Sequence, residues 1–153
     1  MRIQIFWRKT PWMVYILVTL PVRLIMQDHA FLQQFENCTL PKENFKHKGH
    51  LRIAWIYLCH HPFPLALEHI AAGIKKYAAS LGASQIYHET MTQAWARLVS
   101  AAMQAENTET FDQFIHLHPQ LLNSNALAEY YSPECLASNN AKCEWVQPDL
   151  KSF

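Results

Sequence analysis

From residue 28 onward the apolar positions of this 153-residue chain recur at helical intervals, interrupted by turn residues, and no stretch alternates at the period of a strand. A first helix is predicted over about 28–36, with Asp28 as its N-cap. A second should begin near Pro41 and run to His60 or His61, where Pro62 and Pro64 forbid continuation. A third spans about 65–81 and is closed by Gly82. The fourth spans about 85–106. Thr110, with Gln113 three residues later, reads as a capping box opening a fifth helix that Pro119 cuts short near His116. Asn123, Ser124 and Asn125 mark a turn, residues 126–131 a short helix, and Ser132-Pro133 the start of another. From Asn139 the chain is expected to be an extended tail. The pattern describes an all-α domain, a compact single-domain helical bundle of about four main helices with short C-terminal helices.

The first 25 residues stand apart. Arg2, Arg8 and Lys9 precede an uncharged stretch from Thr10 to Val22, too short for the roughly 20 residues of a spanning helix, and Pro21 and Arg23 interrupt its exit. No small-residue cleavage site follows. Residues 1–25 are therefore expected to be an apolar extension, either non-native or a weak anchor, with 26–153 as the helical domain and Met26 as its natural start. The expected location is cytoplasmic, with membrane association through residues 1–25 as the alternative.

Composition removes several functions. Three glycines leave no dinucleotide fingerprint, phosphate-cradling loop or nucleophile elbow. A formal net charge of +1 offers no basic surface for phosphates, so no nucleic-acid partner is expected. Four cysteines form no C-x-x-C pair and are expected to be reduced thiols. The imbalance that remains is nine histidines against three aspartates, Asp28, Asp112 and Asp149.

Projecting each helix at about 100° per residue sorts the histidines. On the second helix His47, His50 and His61 share the arc of Leu51, Ala54, Trp55, Tyr57 and Leu58, while Lys48, Gly49, Arg52 and His60 take the other side. On the fourth, His88 sits in the stripe of Met91, Thr92, Trp95, Leu98, Val99 and Ala102, with Glu89 at its edge. On the third, His69 lies opposite the apolar arc and is expected to be solvated.

Core-facing imidazoles must find partners for both ring nitrogens. One solution is a metal: His47 and His50 at i, i+3, with His88 from a facing helix, make a three-histidine set with an open position for one divalent ion, Zn, Fe or Mn. Glu89 would then be a fourth ligand, an orienter or the general base, with Tyr87 beside it, in hydrolysis or oxidation. The other is a neutral hydrogen-bonded network of these histidines with Tyr57, Tyr87 and Thr92, in a non-catalytic domain that takes a small-molecule ligand or a partner in a groove lined by Trp55, Trp95 and Trp145. The chain has no H-E-x-x-H, no Glu with a His three residues on, and no His-Asp pair, so the known helical metal-site signatures are absent.

Phe45 to Ala54, Tyr57-Leu58, Tyr87 to Thr92 with Trp95, Tyr130-Tyr131-Ser132, Leu136, Ser138, Ala141-Lys142 and Pro148-Asp149-Leu150 carry a resemblance. Together they resemble a widespread family of small uncharacterised bacterial proteins with an H-x-x-H-L, Y-H-E-T-x-T and P-D-L pattern. It covers roughly 31–150. The family pattern has Arg where this chain has Lys142, which keeps the charge and loses the planar fork. The resemblance sharpens which residues matter and transfers no reaction.

Overall fold

The computed structural model describes residues 26–153, and among these every regular element is helical. Residues 26–36 are helical and are called α1. A short 3-10 turn, Lys42–Asn44, leads to α2 (His47–His60), then α3 (Phe63–Ser80). A second 3-10 turn, Ser84–Ile86, precedes α4 (Glu89–Ala105), which is followed by α5 (Phe111–Leu117). Two more 3-10 segments, Pro119–Leu122 and Ala126–Glu129, lead to α6 (Pro133–Ala137) and α7 (Asn139–Cys143). No helix among the described residues is long and apolar enough to cross a membrane. The stretch 1–25, read from sequence as an extension or weak anchor, lies outside the described residues.

Helices α2, α3 and α4 pack on one another as the frame. The α2 helix is the central one. Leu51, Ile53, Ala54, Trp55, Ile56 and Tyr57 are all buried, which is burial around most of the circumference, with Lys48, Cys59 and His60 left exposed on one face. The far face read from sequence holds for Lys48, Arg52 and His60 and fails at Gly49, which is buried and where a Cβ would collide with the Asn44 carbonyl oxygen. The third helix keeps its predicted face, burying Ile70, Ile74, Tyr77 and Ala78. Its Gly73 lies flat on fully buried Phe35, whose ring edge a Cβ would approach to 2.6 Å. At its end Gly82 takes φ +67°, Gly82 N–H bonds Ala79 O and Ala83 N–H bonds Ala78 O, both at 2.9 Å, a glycine-closed C-terminus as predicted.

Four boundaries differ from expectation. Asp28, read as the N-cap of the first helix, lies inside α1, and its carboxylate pairs with Arg52 at 2.6 Å. The second helix starts at His47 rather than near Pro41, and the fourth at Glu89 rather than Gln85, because 3-10 turns occupy the intervening residues. The tail from Asn139 opens with a helical turn instead of extended chain, since the Ser138 hydroxyl accepts from Ala141 N–H at 3.1 Å.

The α4 helix separates two apolar clusters. One holds Phe35, Leu51, Ile53, Ile70, Tyr77, Val99, Phe111 and Phe114, and the other Ala94, Leu127 and Tyr131 with half-buried Trp145. Tyr77 satisfies its hydroxyl inside the first by donating to Leu40 O at 2.6 Å. Chain from Ala126 onward thus forms a second layer behind α4. That layer decides what the candidate residues can do.

Candidate functional site

The helical frame holds a half-open cavity of about 300 Å³. Its walls are apolar on α3 and α4, with Ile70, Ile74, Met91 and Trp95 among them, and His47 and His50 enter from α2. Tyr87 and His88 close the end nearest the start of α4. All three histidines singled out from sequence therefore line one cavity. Their nitrogens, however, are committed differently.

His88 is the N-cap of α4. Its Nδ1 accepts from Met91 N–H at 3.2 Å and its Nε2 donates to Leu136 O at 2.9 Å. Both ring nitrogens are used, so no lone pair is left for a ligand. His47 donates from Nε2 to Leu121 O at 2.7 Å and meets the Trp95 ring edge-on, with centroids 4.5 Å apart. His50 is different. Its Nε2 is buried and has no hydrogen-bond partner, and its ring packs at 4.2 Å on Phe45. Burial first, and the neighbouring His47 second, lower its pKa to about 4, so the imidazole is neutral at pH 7. Among the described residues no three His, Cys, Asp or Glu side chains form a group that could hold a metal ion.

Glu89 and Tyr87 are likewise occupied. The Glu89 carboxylate accepts from Tyr87 Oη at 3.0 Å and Gln93 Nε2 at 3.0 Å, and pairs with Lys75 Nζ at 2.9 Å. Partial burial pushes its pKa up, but these donors and the Lys75 charge outweigh it and hold the carboxyl below its ordinary range. Such a carboxylate is a weak proton acceptor. Burial and the adjacent Glu89 charge push the Tyr87 phenol well up, so it stays protonated. Together the two join α4 to α3.

The next residue completes this pattern. Buried Thr90 donates from Oγ1 to Glu144 O at 2.6 Å and accepts from Val146 N–H at 3.0 Å. The run Tyr87, His88, Glu89, Thr90 is thus a fastener between α4, α3 and the C-terminal layer. The P-D-L segment is built alike: Asp149 accepts from Ser132 N–H at 2.9 Å and Oγ at 2.5 Å, and Leu150 N–H bonds Tyr130 O at 3.0 Å.

Sequence reasoning placed Ile70, Ile74 and Met91 in the core without seeing that they wall a cavity. No one-dimensional pattern distinguishes a filled core from a slightly open one. The remaining histidines fall outside the cavity. His69 is exposed, as expected, yet its ring stacks on Tyr57 at 5.4 Å and lies 4.9 Å from that of His61. No family model, curated protein or solved structure matches the chain.

Proposed function

We propose that this chain is a non-catalytic binding domain that takes a compact, largely apolar small molecule bearing one hydroxyl or amide group. The observation that carries the reading is His50, a residue of the cavity wall whose buried Nε2 has no partner. An unsatisfied buried polar atom costs about 1–3 kcal/mol, and a ligand group that meets it recovers part of that cost on binding. At roughly 30 Å³ per water the cavity has room for about ten waters, at the lower end of the size of small-molecule sites. A hydroxyl suits a neutral imidazole because it can donate or accept, whichever tautomer His50 adopts. The competing three-histidine metal reading has less support, since His88 has spent both nitrogens and His47 one of them.

Calorimetric titration with p-cresol and with toluene tests the proposal. The phenol is expected to bind about three- to tenfold more tightly, the ratio one net hydrogen bond supplies. In His50→Leu that preference should vanish while toluene binding is kept. Equal affinity for the two probes in the native protein, or a preference that survives His50→Leu, refutes it.

A further inference from the structure

A larger cavity, about 660 Å³, lies elsewhere and shares no lining residue with the first. Its apolar wall includes Leu32, Ile56, Leu58 and Met103, and the indole of Trp55. Trp55 is 5% exposed, and its Nε1–H is buried with no acceptor. Two helices end here. His60, the last residue of α2, lines the cavity, as do Met103 in the last turn of α4 and Glu106 just beyond it.

Helix C-termini carry partial negative charge and are stabilised by cations, yet the residue capping α4 is an acid. Glu106 makes no hydrogen bond back into the helix, whereas the C-cap amides of α2, α3 and α5 all do. Glu109 adds a second carboxylate to the rim, and among the described residues neither glutamate has an ion-pair partner. Asp28 also lines the cavity, but Arg52 answers its charge at 2.6 Å. Cys59, in the same wall, has its thiol pKa pushed up to about 11 by desolvation and then by the Asp28 charge, which removes it as a nucleophile. His29 and His60 complete the polar rim.

We propose that this cavity is a second ligand site, selective for an organic cation: an amine on an apolar body, carrying the charge to Glu106, Glu109 and the end of α4. The apolar wall, Trp55 included, distinguishes such a ligand from a hydrated inorganic ion, which brings no apolar surface to bury. The placement of Glu106 against the helix dipole has no compensating contact within the protein, and a bound cation supplies one.

The test follows the Trp55 indole N–H signal by ¹H–¹⁵N NMR in the full chain, assigned through Trp55→Phe. Titrants are tryptamine, 4-phenylbutylamine and the neutral 4-phenylbutanol. Both amines are expected to give saturable shifts, and 4-phenylbutanol should bind about two- to fivefold more weakly than 4-phenylbutylamine, the range one well-placed exposed charge pair supplies. In Glu106→Gln/Glu109→Gln, two exposed positions, the amine preference should disappear with the thermal melt no lower than in the native chain and p-cresol binding unchanged. An absence of saturable shift from either amine, equal binding of amine and alcohol, or a preference that persists in the double variant overturns the proposal. So does displacement of the amine by an equal concentration of magnesium, which would make the site one for inorganic cations.

Discussion

Replacing His50 with leucine should make the protein less sensitive to acid. In the folded chain burial and His47 hold the imidazole near a pKa of about 4, against 6.5 for the free side chain. Below pH 6.5 the unfolded chain therefore binds a proton that the folded chain refuses, and stability falls with pH across the window from 6.5 down to about 4. Each pH unit of that gap is worth about 1.4 kcal/mol, so His50 alone accounts for roughly 3 kcal/mol of acid destabilisation, or on the order of 10 °C in melting temperature for a domain of this size. Below the folded pKa the loss is complete and the slope from this residue vanishes. Urea unfolding at pH 7, 6, 5 and 4 for the native chain and His50→Leu isolates the contribution, because other titrating groups are common to both. The variant should be at least as stable at pH 7, having lost an unpartnered buried nitrogen, and its stability at pH 4 should fall by about 3 kcal/mol less. Parallel pH profiles would show that His50 is solvated or partnered in the folded protein, and would remove the premise of the proposed ligand site as well.

Two further outcomes are expected. Thr90→Val keeps shape but strands Glu144 O and Val146 N–H, so it should cost about 1–3 kcal/mol, and hydrogen exchange at Val146 should accelerate with little change at the centre of α2. Added Zn, Fe or Mn should leave the melting temperature unchanged; a metal-dependent rise that His47→Ala abolishes would reinstate the three-histidine site.

The helical frame was legible because α3 and α4 carry strong punctuation. Gly82 stops one, and Thr110 opens the helix after the other by accepting from Gln113 N–H at 3.2 Å. His88 shows where legibility ends. Projected on a helix starting at Gln85 it falls in the apolar stripe, but α4 starts one residue after it, and histidine is not among the side chains that announce an N-cap. One missed boundary turned a capping residue into a candidate ligand. His47 and His50 were correctly assigned to a shared face, because both lie inside one uninterrupted helix. What separated them could not be read from that face: the Leu121 carbonyl that His47 meets arrives from 74 residues away, and nothing arrives at His50. The sites of highest chemical interest were thus decided by long-range backbone placement.

That same placement has a consequence for how the chain tolerates change. Tyr77, His88, Thr90 and Tyr131 all direct side chains to main-chain oxygens, of Leu40, Leu136, Glu144 and Val146 respectively. A carbonyl is the same whatever residue carries it. Information about these joints is therefore stored on one side only: the giving position is chemically restricted, while the receiving position can drift in identity so long as its backbone stays in place. Val146 is an exception of one kind, since it also gives its N–H to the Thr90 hydroxyl, and proline alone has none to give. Pairs of this sort leave no mutual signature in sequence variation, so the joints that fix this fold would be invisible to any method that searches for residues changing together.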